Sequence, residues 1–114
     1  MTDMTVRDYL NIPYTLLAEP VEVGDGIWLR RLSYPELGGF HAEGVDVETV
    51  YLDVERMRFS EIMKRLQSGD LPPVPRPPLS TATPEWWARF LGIGDEVTAF
   101  LDKTPEDYRR SRSN

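Results

Sequence analysis

With 114 residues, 40% of them hydrophobic and 28% charged, the chain is long enough to bury a core of its own without disulfides or a structural metal. It has no cysteine, which excludes disulfides, thiol catalysis and thiolate metal sites. A net charge of −6 and a pI near 4.7 weigh against nucleic acid, whose binding rests on Lys and Arg displacing counterions, and suit either a basic protein partner or solubility alone.

No apolar run has the length of a membrane span. Met1–Thr5 also lacks the basic-then-apolar pattern of a secretory leader. The expected location is therefore the cytoplasm, with no membrane contact.

In chain order, Tyr14 to Val23 reads as a first strand and Ile27 to Leu32, carrying Trp28, as a second. Gly24-Asp25-Gly26 between them supplies the turn, which predicts a hairpin. Tyr34-Pro35-Glu36-Leu37-Gly38-Gly39 is a bent connection, and Phe40 to Gly44 a short third strand.

The longest periodic segment follows. Val47, Val50, Tyr51, Val54, Met57, Phe59, Ile62, Met63 and Leu66 mostly step by three or four, which predicts one apolar helix face over 46–68. Asp46 stands at the N-cap position and Gly69 at C′. Glu48, Asp53, Glu55, Arg58, Glu61, Lys64 and Arg65 fall on the opposite, solvated face, with acids leaning toward the N-terminus as the helix dipole favours.

Leu71 to Leu79 holds five prolines in nine residues, so it cannot be helix and reads as an extended spacer or an arm laid over a surface. Thr83-Pro84-Glu85 starts a further helix containing Trp86, Trp87 and Phe90, stopped by Gly92. Another short helix is expected over 96–101, and Thr104-Pro105-Glu106 repeats the start signal.

The predicted fold class is α+β, a small antiparallel sheet of three to four strands on one long helix. The expected organisation is an α/β module over 1–70, a proline-rich linker or arm over 71–82, a short helical extension over 83–110 and a disordered tail over 111–114. The extension is expected to be separable from the first module.

This order, strand, strand, short strand, long helix and proline-rich exit, resembles the HicB antitoxin family. Pro35, Glu36, Leu37, Gly39 and Gly44 match that family's pattern in register, and Glu48 falls at its acidic helix start. Asp8-Tyr9-Leu10-Asn11-Ile12-Pro13-Tyr14-Thr15 is similar to the common opening, and Gly69-Asp70-Leu71-Pro72-Pro73-Val74-Pro75 to the exit after the helix. Gly38, Phe40 and Val50 depart from the pattern, and the likeness spans about residues 6–78.

The resemblance implies a partial RNase H-type layer without catalytic carboxylates. It also implies a small basic mRNA interferase of the HicA type as partner, its active site covered by this protein. Contact residues in that case would include Tyr34, Pro35, Glu36, Leu37, Glu43 and Glu48. Many members form dimers or tetramers, and many repress their own operon through a DNA-binding module.

Other chemistry finds less support. A two-metal nuclease needs converging carboxylates, and nothing near Asp25 completes a cage. His41, the single histidine, has no second catalytic member beside it and reads as a strand surface or interface residue. No cofactor and no metal are expected, and no catalysis.

Trp86, Trp87 and Phe90 lack the positive groove of a base-stacking platform and read as packing or oligomerisation residues. Ala88 and Gly92 have helix-turn-helix spacing, but the next segment, Asp95 to Leu101, has two acids and no base to read DNA. Direct nucleic-acid contact is therefore not expected. Two alternatives stay open beside the antitoxin reading: a DNA-binding autoregulator, and a stand-alone adaptor or inhibitor.

Overall fold

The structure is a computed structural model and describes residues 3–112. In chain order the elements are α1 (Val6–Leu10), β1 (Leu17–Gly24), β2 (Ile27–Ser33), β3 (His41–Gly44), α2 (Val47–Ser68), α3 (Pro84–Phe90), α4 (Gly94–Val97) with a 3-10 turn (Thr98–Phe100), and α5 (Pro105–Arg112). The fold is α+β with a three-stranded antiparallel sheet in the order β1-β2-β3. No helix among the described residues is long and apolar enough to cross a membrane.

The chain divides into two compact units, one of residues 14–58 and one of residues 1–13 with 59–114. The division falls inside α2 and not at the boundary expected near residue 70. The first thirteen residues belong with the C-terminal segments because backbone hydrogen bonds tie them there. Val6 N–H donates to the Lys103 carbonyl at 2.8 Å and Arg7 N–H to that of Leu101 at 2.9 Å.

In unit 14–58 the hairpin turns where it was expected. Asp25 and Gly26 take φ values of 47° and 78°, a left-handed pair that matches the twist of the flanking strands. The first strand begins later than its apolar run, at Leu17, because Tyr14 is buried in the core instead of pairing. Behind β2 and β3, Leu32 and Ala42 are buried together with Val50 and Val54 of α2. A Cβ on Gly44 would meet Val50 Cγ2 at 2.9 Å, so the glycine is what lets β3 and the helix approach.

The α2 N-terminus is capped as expected. Asp46 accepts from the Thr49 hydroxyl at 2.7 Å and from the Glu48 N–H at 3.3 Å.

The other unit gathers α1, the end of α2, the proline-rich segment and α3 to α5. Gly69 closes α2 with φ 87° and donates its N–H to the Arg65 carbonyl at 3.0 Å. The proline-rich stretch is an arm and not a free linker. Leu79 N–H donates to the Asn11 carbonyl at 2.9 Å, and the Arg76 guanidinium to that of Pro13 at 3.0 Å.

Helix α1 was not foreseen. Thr5 and Asp8 form a reciprocal capping box that closes this five-residue helix. Thr83, by contrast, makes no side-chain cap on α3, although Pro84 takes the first turn as expected.

The tail expected to be disordered from 111 is helical through Arg112, with the Ser111 hydroxyl bonded to the Asp107 carbonyl at 2.9 Å. Ser113 and Asn114 lie outside the described residues.

Candidate functional site

Residues directly opposite each other in an antiparallel pair share a face of the sheet. Leu32 opposes Ala42 and both are buried, so theirs is the covered face. The other face carries three rungs: Leu17, Ser33 and His41; Glu19, Arg31 and Glu43; Val21 and Leu29. Leu17, Glu19 and His41 on it are exposed.

The middle rung sets an acid on either side of a guanidinium. Arg31 Nη2 lies 3.4 Å from Glu43 Oε2, and His41 Nε2 lies 3.1 Å from Glu43 Oε1. Arg31 Nε is buried and has no acceptor among the described residues.

Toward the turn the hairpin is bare on both faces. Val23, Ile27 and Trp28 expose 55%, 57% and 56% of their surface, where such side chains ordinarily seek cover. Trp28 shares its rung with Glu22 on one face, while Val21 and Leu29 lie on the other. A register shift between Glu22 and Gly24 marks a bulge, which adds local twist near the turn. Glu19, Glu22 and Asp25 form no ion pair among the described residues.

Charge follows the same division. Residues 14–58 hold nine acids and four bases, net −5, while the other unit holds ten acids and nine bases, net −1. The acidity of the chain is that of the β-hairpin unit.

Beneath this surface lies a buried polar cluster. The Glu55 carboxylate, 3% exposed, accepts from Arg58 Nε at 2.9 Å, from Arg58 Nη2 at 3.2 Å, from the Tyr51 hydroxyl at 3.4 Å, and from the Tyr34 hydroxyl. The Arg58 guanidinium also sits 5.9 Å from the Tyr34 ring centre.

Burial opposes the charge on Arg58, but Glu55 more than offsets it, so the guanidinium is held firmly protonated. Burial and then the Glu55 charge push the Tyr34 hydroxyl far above the usual tyrosine range. Every group is satisfied and the cluster is closed, which suits fixing α2 against the Tyr34 loop more than it suits chemistry.

This corrects the sequence reading of α2. Glu55 and Arg58 were expected on the solvated face, yet they neutralise each other inside the core. Val47, Tyr51 and Met57 of the expected apolar face are exposed instead.

The residues expected to meet a partner are placed unevenly. Tyr34 and Leu37 are core residues and withdraw from any surface: Tyr34 is held by Glu55, and Leu37 is wholly buried. Pro35 is exposed. Glu36 is half-buried and spends one carboxylate oxygen on the Thr15 N–H at 2.8 Å. Glu43 is on the open sheet face, and Glu48 is exposed at the start of α2. Phe40, one of the departures from the family pattern, packs with its ring centre 6.3 Å from that of Tyr34.

Sequence reasoning missed Val23, Ile27 and Trp28 as surface residues. Their alternation with polar neighbours signalled a strand but not that the strand would be left uncovered.

On α3, the rings of Trp86, Trp87 and Phe90 lie 5.3 to 6.0 Å apart and within 11° of parallel. Trp86 and Phe90 are 59% and 57% exposed, so they do not pack into the core of this chain. Helix α4 is a single turn carrying exposed Asp95 and Glu96. The groove beside Gly69 and Arg109 mixes Asp3 and Glu106 with one guanidinium and singles out no ligand charge. Among the described residues, no three of His, Asp or Glu are grouped as metal ligands. No family model, no curated protein and no solved structure matches this chain.

Proposed function

We propose that this chain is an antitoxin-like protein of the HicB type, which binds a small basic RNA-cleaving protein and covers its active site, with no catalysis of its own. One observation carries the reading: most of the acidity and, among the described residues, nine of the fourteen exposed large apolar side chains fall in the same 45-residue unit, 14–58. A protein that holds RNA must present cations to phosphates. A surface made to displace RNA from it needs the opposite sign and a means of excluding water, and unit 14–58, at net −5 with the bare end of its hairpin, supplies both.

The order β1, β2, β3, α2 and proline-rich arm is the order that carries the resemblance, which adds support. Autoregulation by direct DNA contact is disfavoured by α4, whose one turn offers two carboxylates and no cation to the double helix. An adaptor role would share the surface but not the nuclease.

The test is co-expression with a small basic protein encoded by the adjoining gene. The expected result is rescue of growth and a complex that co-purifies through ion exchange and size exclusion. Toxicity that persists despite ample expression of this chain, with no complex, would overturn the reading.

A further inference from the structure

We infer that the end of the β1–β2 hairpin is a plug that enters a cleft in the basic partner, with Trp28 and Ile27 as its anchors. The inference rests on the proposed function and names the surface that performs it.

Three observations lead there. First, the apolar side chains lie on both faces of the hairpin. Trp28 occupies one face, and Ile27, Val21 and Leu29 the other. A flat partner buries one face only, whereas a cleft buries both. Second, strand addition along β1 is blocked at its middle. Pro20 has no N–H to give a neighbouring strand, and Glu19 and Glu22 flank it with charge. The partner is therefore met by faces and tip, not by the free edge.

Third, the rim is acidic. Glu19, Glu22 and Asp25 lie around the apolar tip without an ion pair among the described residues, and they outnumber the one exposed cation beside them, Arg30. A second copy of this unit, itself at net −5, would be repelled, whereas a cleft lined with the cations that hold RNA would be attracted. The occupant is thus a basic protein, and the hairpin excludes RNA by taking its place among those cations.

The experiment measures the affinity of the full chain for the small basic protein recovered in the co-expression test, with variants at exposed positions that leave the core untouched. Replacing Trp28→Ser together with Ile27→Ser should raise Kd by at least about 30-fold, the loss expected for central anchors. Glu19→Lys, Glu22→Lys and Asp25→Lys combined should slow association about tenfold at low salt and flatten its salt dependence. Trp86→Ser, equally exposed but in the other unit, should leave Kd within about twofold.

A wild-type complex that the Trp28 and Ile27 replacements do not weaken overturns the plug and leaves the proposed function standing. Failure of the wild-type chain to bind the basic protein removes both. If the same replacements lower the mass of the free chain in sedimentation, the hairpin is a self-interface and the inference is wrong.

Discussion

The two units of this chain differ in net charge and in where they keep their ion pairs. Unit 14–58 carries net −5 and leaves Trp28, Ile27 and Val23 uncovered, while it buries the Glu55–Arg58 pair. The unit made of 1–13 and 59–114 is nearly neutral at −1 and keeps its ion pairs, such as Arg7–Glu85 and Arg65–Glu61, near the surface. It is joined instead by main-chain bonds between its two segments. The surface proposed to meet a partner and the exposed Trp86 and Phe90 rings belong to different units.

The largest expected effect comes from breaking the second unit. Removing residues 80–114 takes away the Leu101 and Lys103 carbonyls that receive Arg7 and Val6, together with buried Ala88, Leu91 and Tyr108. Amide exchange should then lose protection throughout 1–13 and 59–79 while β2 and β3 keep theirs. Equal loss in both regions would mean that one cooperative fold spans the chain, and the comparison would dissolve. The result decides the expectation that the extension can be removed with the first module still folded.

Next in size is the buried pair. Glu55→Ala leaves the Arg58 guanidinium without its carboxylate and should cost about 3–5 kcal/mol in urea unfolding. Glu55→Leu with Arg58→Met should recover much of that, since neither charge then needs a partner. If the double variant is as unstable as the single one, the network contributes through shape and not through charge.

This pair also shows where the sequence stops being legible. The hairpin, its Gly24-Asp25-Gly26 turn, the helix limits at Asp46 and Gly69 and the Pro84 start were all readable, because each depends on local backbone chemistry. Glu55 and Arg58 were misplaced because periodicity treats any charged residue as exposed, and only tertiary structure shows a carboxylate, a guanidinium and two hydroxyls converging. Tyr34 and Leu37 were misplaced for the related reason that a loop rich in Pro and Gly reads as surface even when it lays two apolar side chains inward. The plug residues carry the clearest strand signal in the chain, yet no pattern within a strand says whether a second layer will cover it.

Two glycines probe the units at smaller cost. Gly44→Ala forces a methyl against Val50 between sheet and helix, an overpacking expected to cost about 1–3 kcal/mol. Gly69→Ala meets only the flexible end of Arg109, so its cost should be that of a left-handed backbone, about 1–2 kcal/mol. The exchange pattern sharpens the contrast: Gly44→Ala should loosen β3, and Gly69→Ala the arm that follows α2.

The smallest effects are those of pH, and they fall at opposite ends of the scale. In unit 14–58, burial and then Glu55 raise the Tyr34 hydroxyl. The unfolded chain therefore releases that proton first, and stability declines once pH passes about 10, by about 1.4 kcal/mol per unit at most. Tyr34→Phe should shrink the decline, and what remains should come from Tyr51, raised by burial and then by Glu55, and from Tyr9, raised by burial.

In the other unit, the hydrogen bond from Arg7 lowers Glu85, so its contribution is present above the unfolded carboxylate value of about 4.3 and fades as pH falls through the folded one. The pair is part-exposed, so the contribution should stay below about 1 kcal/mol and shrink with added salt. Glu85→Gln should flatten the acid limb of stability for residues 1–13 and 59–114 without moving the alkaline limb of 14–58. A single variant that moved both limbs would show that the two sets of charges titrate as one system.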